Sequence, residues 1–212
     1  MLNNRIKFAN IPEAFKDIRL SSFKTGYYGN KSIISEVVDT IKYYLENIDE
    51  MKEEGIGLYF WSSTKGSGKT RMATSLANEF IYNHDMSVKF ATSLDILSEI
   101  KKTWEDEETS ESKLLDYLTS CEVLVIDDFG TEAHKEWIDD KFYQIINKRY
   151  IGKLITIFTS NYGLDELNYD DRITNRIKER VYQVHFPEES IRESIAVARH
   201  TKMMKEIGAN GN

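Results

Sequence analysis

Ser63-Thr64-Lys65-Gly66-Ser67-Gly68-Lys69-Thr70 restricts the fold of this chain more than any other stretch. It lies between an apolar run, Ile56-Gly57-Leu58-Tyr59-Phe60-Trp61, and a segment with helical spacing through Met72, Ala73, Leu76, Ala77 and Phe80. A glycine-rich turn leaving a buried strand and opening a helix aims backbone N–H groups and the helix N-terminus at one point, which suits a phosphate. Gly66 and Gly68 let the backbone turn tightly with no Cβ in the way. Lys69 supplies a positive charge to the β and γ phosphates, and the Thr70 hydroxyl ligates Mg²⁺. Ser63, Thr64, Lys65, Gly66, Ser67, Gly68, Lys69, Thr70 and Arg71 are therefore the expected nucleotide-binding residues. A glycine at position 63 would complete the usual pattern. Serine there is strained by about 1–3 kcal/mol if the position needs positive φ.

The remaining pattern alternates strands and helices. Short apolar runs at Val88–Ala91, Val123–Ile126, Leu154–Phe158 and Tyr182–Phe186 read as strands. Helical spacing runs from Ser32 to about Asp49, Leu94 to Trp104, Lys113 to Leu118, Glu132 to Tyr150, Asp171 to Val181 and Ser190 to Ile207. Such alternation without hairpin turns predicts an α/β domain with a five-stranded parallel sheet between helices. Ser32 is the candidate N-cap of the first long helix. Residues 1–30 read as an irregular lead-in, so the expected organisation is a lead-in and first helix over 1–50, a core over 51–192 and a C-terminal helix and tail over 193–212. A chain of 212 residues suffices for one such domain.

A second polar cluster supports the phosphate reading. Asp127 closes the run Val123-Leu124-Val125-Ile126 and is followed by Asp128. In a doubly wound sheet, ligands collect at the carboxyl ends of the strands, so Lys69 and Asp127 should converge. Asp127 is then a Mg²⁺ ligand, directly or through water, and Asp128 orients or deprotonates an attacking water. Thr159-Ser160-Asn161 ends the fourth strand, where a side-chain amide reaches a γ-phosphate. Arg172, Arg176 and Arg180 are spaced by four and share one helix face.

Composition removes some alternatives. The net charge of −7 argues against non-specific coating of duplex DNA. One cysteine, Cys121, permits no intramolecular disulfide and reads as a small buried hydrophobe. His84, His134, His185 and His200 lack metal-ligand spacing. The first residues lack the apolar core of a secretory signal, and no run is long enough to span a bilayer, so a cytoplasmic protein without membrane partners is expected. The run Glu105–Glu111 carries five acids and reads as a solvated loop. Trp61 reads as core packing.

Several motifs together resemble the bacterial and phage replicative-helicase loaders of the DnaC/DnaI type, P-loop NTPases of the AAA+ class. They are Gly-Ser-Gly-Lys-Thr (66–70), Val-Leu-Val-Ile-Asp-Asp-Phe-Gly (123–130), Thr-Ser-Asn (159–161), Arg-Ile-Thr-Asn-Arg-Ile (172–177) and Phe-Pro-Glu-Glu-Ser-Ile-Arg (186–192). The resemblance implies an AAA+ domain with little or no separate C-terminal lid, binding ATP or ADP with Mg²⁺ at subunit interfaces. It implies roles as sensor 1 for Asn161, arginine finger for Arg176 and sensor 2 for Arg192. It also implies ATP hydrolysis, self-association through the ATP interfaces, a replicative helicase as partner, and single-stranded DNA bound beside residues 94–118, with Lys101 and Lys102 as phosphate contacts. Two departures are Ser63 for glycine and Asp128 where many AAA+ proteins have glutamate. A third is the lack of cysteine in residues 1–50, unlike the zinc-bearing helicase-binding domain of some relatives. Three other readings remain open: a transposition helper of the IstB type, a nucleotide-gated adaptor with weak catalysis, and a small-molecule kinase. The last lacks a recognisable acceptor site and lid.

Overall fold

The protein is described from a computed structural model covering residues 2–105, 110–133 and 135–209. Five short strands form one wholly parallel sheet: β1 (Gly57–Trp61), β2 (Val88–Thr92), β3 (Val123–Asp127), β4 (Ile155–Ser160) and β5 (Val181–His185). The order across the sheet is β2-β3-β4-β1-β5, so the strand feeding the phosphate loop lies beside β4 and is separated from β3 by it. Pairing aligns Thr92 with Asp127, and Trp61 with both Ser160 and His185. These register partners bring the five strand exits, four of them polar, to one edge of the sheet. Every residue of β3 is buried, as expected of a strand covered on both faces. At the β5 edge, Tyr182 and Gln183 are exposed.

Helices α2 (Lys31–Glu46) and α4 (Lys69–Asn83) cover one face of the sheet together with α1 (Leu2–Ala9). The other face packs against α5 (Ser93–Glu105), α6 (Glu111–Ser120), α7 (Glu136–Ile151) and α8 (Asp171–Glu179). Helix α2 buries Ile34, Val37, Ile41 and Tyr44, a stripe recurring every three or four residues. Each fully buried side chain of this size contributes about 1.5–3 kcal/mol. The helix starts at Asn30, whose side chain accepts from the Ile33 amide at 3.1 Å, so the N-cap lies two residues before Ser32. The expected single helix to Asp49 breaks at Asn47, and α3 (Ile48–Glu54) follows.

The first 30 residues differ most from expectation. They hold α1 and three short 3₁₀ turns, at Glu13–Phe15, Leu20–Ser22 and Thr25–Tyr27. Ala9, Ile11 and Tyr28 share one buried cluster with Leu58 and Phe60 of β1, so the lead-in is part of the core rather than an appendage. Asn78 of α4 fixes it there, donating to the Phe15 and Ile18 carbonyls at 2.9 Å each. Part of the acidic run, residues 106–109, and His134 lie outside the described residues. Glu111, the last acid of that run, opens α6 and ion-pairs with Lys141. A single helix, α9 (Ile191–Ala209), follows the sheet and is exposed over most of its length. No helix among the described residues is long and apolar enough to cross a membrane.

Candidate nucleotide-binding site

The loop after β1 and the first turn of α4 line a cleft of about 510 Å³ at the carboxyl edge of the sheet. Its walls include Lys65 to Arg71 and, from elsewhere in the chain, Asp128, Asn161 and Arg192. Gly66 and Gly68 have φ of +82° and +101°, where a side chain is strained. Space also forbids one at Gly68, because an added Cβ would stand 2.4 Å from the Tyr28 hydroxyl. That hydroxyl donates to the Ser67 carbonyl at 2.7 Å, fixing the loop from the lead-in side.

Lys69 is 5% exposed, and its ammonium donates to Ser62 O (3.0 Å), Thr64 O (3.2 Å) and Ser67 Oγ (3.2 Å). All three acceptors are neutral. Burial pushes the Lys69 pKa down, while the nearby carboxylates of Glu188, Asp128 and Asp127 oppose that. Across β4, Asp127 is also 5% exposed; its Oδ1 accepts from Thr70 Oγ1 at 2.9 Å and Thr159 Oγ1 at 2.6 Å. Burial pushes its carboxyl above the usual range, with Thr159 and Thr70 pulling the other way.

Among the described residues neither Lys69 nor Asp127 has an ion-pair partner, and a buried charge of either sign gains from a counter-ion, because desolvated charge is expensive. Phosphates beside Lys69 and Mg²⁺ beside Asp127 fit these needs. The Thr70–Asp127 oxygen separation of 2.9 Å fits too, since adjacent ligands of an octahedral Mg²⁺ stand about 2.9 Å apart. Thr70 and Asp127 would hold the metal, and Lys69 with the amides of the α4 N-terminus would hold the phosphates.

Behind the carboxylates, Thr159 makes a second bond, accepting from the Asp128 amide at 3.0 Å. Asp128 has φ of +54° with its side chain exposed toward the cleft, so the strained residue of the site is Asp128. Aspartate tolerates this region better than most residues. Phe129 anchors the turn: it is fully buried, with ring centres 5.2 Å from Phe142, 5.1 Å from Phe158 and 4.7 Å from Tyr169. Ser63 is not in the positive-φ region, so the strain expected of it does not arise.

A protein-family model described as an IstB-like ATP binding protein matches residues 60–193, from the end of β1 to just past Arg192. This chain belongs to the IstB-like ATP-binding family. The replicative helicase loader DnaC of Escherichia coli (strain K12) is 28% identical over 137 residues, covering 64% of this chain and 54% of that protein. The replicative helicase loader DnaI of Bacillus subtilis (strain 168) is 30% identical over 139 residues, covering 65% and 42% respectively. The chain thus spans about half the length of these curated relatives. Among solved structures, a DnaI crystal structure superposes with a TM-score of 0.69 at 24% identity, covering 84% of this chain and 95% of that one. The crystal structure of the DnaC helicase loader also gives 0.69, at 22% identity, covering 82% and 99%. The AAA+ P-loop fold expected from the motifs is the fold of this IstB-like domain.

Arg71, Asn161 and Arg192 join the phosphate loop and Asp128 in one cleft, whereas Ser63 and Thr64 lie outside its lining. Arg71 also donates to Ser22 O and Oγ in the lead-in. Arg176 lies away from this cleft, in the groove between α7 and α8. It donates to Asn147 Oδ1 (2.8 Å), Arg172 O (2.9 Å) and Tyr143 Oη (3.3 Å), and its guanidinium sits 5.0 Å from the centre of the Tyr143 ring and 5.7 Å from that of Tyr150. Arg172 is paired with Asp170 and Arg180 with Glu54. The acceptors given for Arg176 among the described residues are all neutral. Lys101 and Lys102 are exposed on α5, with Lys101 Nζ 5.3 Å from the centre of the Trp137 ring. Trp61 stacks on His185 at 4.2 Å between ring centres, and Cys121 is buried against Arg149.

Sequence reasoning missed the apolar end of the cleft. Phe15 lines it with Ile191 and Ile195, and a contiguous hollow beneath Gly68 is walled by Phe23, Tyr27 and Tyr28. Phe15, Phe23, Tyr27 and Tyr28, spaced along the first 30 residues, are the sequence signal for it.

Proposed function

We propose that this IstB-like domain binds and hydrolyses Mg-ATP and uses the cycle to load a ring-shaped replicative helicase onto single-stranded DNA. The contact that carries the reading is Thr70 Oγ1 to Asp127 Oδ1 at 2.9 Å, which joins the phosphate loop to the acid of β3 across an intervening strand. Phe15, Ile191 and Ile195 offer the base an apolar surface, and Arg192 approaches the phosphates from the start of α9. Bound Mg²⁺ neutralises charge on the phosphate oxygens. Asp128 takes a proton from the attacking water, held above the cleft by its own strained turn, and Asn161 orders that water.

Arg176 suits action in trans. It is half-buried between two tyrosines, with neutral acceptors holding its shape and leaving its charge for a neighbouring subunit's phosphates. A finger of this kind is worth about 10³–10⁵ in rate. The loader assignment draws on the names of the DnaC and DnaI relatives. The single-strand assignment draws on Lys101 and Lys102 and on a DnaA neighbour, described as bound to AMPPCP and single-stranded DNA, whose fold matches with a TM-score of 0.67 at 18% identity.

The family match favours one other reading, an ATP-dependent helper of a transposase. Size-exclusion chromatography with light scattering separates them, mixing the protein with its host's replicative helicase with and without ATP. A nucleotide-dependent complex supports the loader. No complex in any state, with binding to duplex DNA and a transposase instead, supports the helper.

A further inference from the structure

The loop joining β5 to α9 is bonded to the phosphate loop at several points. Phe186 N donates to Trp61 O at 2.8 Å and Ile191 N to Gly66 O at 3.0 Å, so residues 186–191 run alongside the loop from its root to its middle. Between these ties stands Glu188. Its Oε1 accepts from the Ser63 amide at 3.0 Å and lies 3.0 Å from His185 Nε2. Its Oε2 accepts from the Ser63 hydroxyl at 2.7 Å and the Thr64 amide at 2.8 Å. Four contacts use the four lone-pair sites of a carboxylate. The geometry points to Glu188 as a positioning residue of the phosphate loop, an anion that sets the loop's first turn and thereby its affinity for nucleotide.

This accounts for the serine at position 63. Glycine there offers the carboxylate one amide, whereas Ser63 offers an amide and a hydroxyl to opposite oxygens of the same group. The acceptor is itself held, because His185 stacks on Trp61 at the end of β1. Partial burial pushes the Glu188 carboxyl up, but the donors from Ser63, His185 and Thr64 outweigh this and hold it well below the usual carboxylate range. It is therefore charged at neutral pH.

An anion beside a phosphate site also repels. Two observations make positioning the larger effect. Glu188 touches Ser63 and Thr64, neither of which lines the cleft. Its side chain is 40% exposed, so solvent screens its field toward the phosphates.

The proposal rests on the cleft being the nucleotide site. The test is a fluorescent-ADP titration of the full chain with Mg²⁺, run well below the unfolding midpoint of every variant. Glu188→Ala should weaken binding by about 10–100-fold, the range seen when a hydrogen-bonded support of a metal ligand is lost. Glu188→Gln should fall between, since its amide nitrogen cannot accept from Thr64, and it serves alone if the alanine variant does not fold. Ser63→Ala should weaken binding less, and adding it to Glu188→Ala should cost nothing further, because the hydroxyl has then lost its acceptor. A merely structural role would lower the unfolding midpoint and leave the dissociation constant unchanged, and that result overturns the proposal. So does tighter binding by Glu188→Ala, which would mean that repulsion dominates, or losses that multiply in the double variant. A wild-type protein that binds no nucleotide removes the cleft assignment beneath it.

Discussion

Gly68→Ala tests how tightly the lead-in and the phosphate loop depend on each other. Two costs are readable from the structure. The backbone at Gly68 has φ +101°, which adds about 1–3 kcal/mol of strain for a residue with a side chain. The new methyl would also stand 2.4 Å from the Tyr28 hydroxyl, roughly an ångström inside ordinary contact. Tyr28 is buried with its ring stacked on Phe23 at 6.0 Å, so it cannot swing aside cheaply. Overpacking of this kind costs about 1–3 kcal/mol. The sum, about 2–6 kcal/mol, is a large share of the roughly 5–15 kcal/mol that stabilises a domain. Tyr28→Phe removes the offending oxygen and alone costs about 0.5–1.5 kcal/mol for the lost bond to Ser67 O. In the double variant the overlap is gone while the strain remains. Urea denaturation followed by tryptophan fluorescence should therefore show the double variant more stable than the sum of the single losses, by about 1–3 kcal/mol. Strict additivity would refute the claim that Tyr28 occupies the space a side chain at 68 needs.

Other outcomes follow from the same site and its supports. Lys69→Ala should weaken nucleotide binding by about tenfold to a hundredfold, since a charged hydrogen bond is worth about 1.5–3 kcal/mol; normal affinity in a fluorescence titration would remove Lys69 from the site. The raised carboxyl of Asp127 sets a pH dependence. Its folded form holds the proton more tightly than the unfolded chain, so its contribution to metal-free stability falls as pH rises from the ordinary carboxylate range through the folded pKa. Asp127→Asn should thus melt higher than wild type at neutral pH without Mg²⁺, and in the presence of ADP it should gain nothing further from Mg²⁺; a midpoint that rises when Mg²⁺ joins ADP contradicts the metal assignment. Arg149 is 1% exposed and donates to the carbonyls of Leu118, Cys121 and Ile155 at 2.6–3.0 Å, so Arg149→Met should cost about 3 kcal/mol or more in urea denaturation. Arg176→Ala should bind ATP normally and lose hydrolysis by about 10³-fold or more. Mixing it with an Asp128→Asn subunit should restore some turnover, and its failure to do so counts against action in trans.

What could be read in advance divides by the range of the interactions involved. Glycines between an apolar run and an amphipathic helix define a strand, a turn and a helix from local chemistry, and the phosphate loop was legible for that reason. Val123–Ile126 followed by two acids was legible on the same terms. Strand order was not, because placing β4 between β1 and β3 depends on packing between segments distant in sequence. The packing of the lead-in was not legible, because its 3₁₀ turns have no periodic stripe of their own and take shape against α4 and the phosphate loop. Ser32 has the residue type of an N-cap, but Asn30 offers an equally short acceptor and starts the helix earlier. Ser63 was visible as a departure from glycine, yet its partner lies 125 residues onward. No local rule connects the two.

The place of β4 has a mechanical meaning. The phosphate loop hangs from β1 and the acids from β3, and the space between them equals two strand spacings, about 10 Å. The site is therefore a caliper whose jaws close where Thr70 meets Asp127, with β4 as the spacer between them. Thr159 sits on that spacer and grips both acids, one through its hydroxyl hydrogen and the other through its oxygen. Asn161 follows Thr159 by two residues at the exit of this spacer and lines the same cleft. From Asn161 the chain passes through the short turn Leu164–Glu166 and four further residues to α8, so the helix bearing Arg172 and Arg176 is the next helix after the spacer strand.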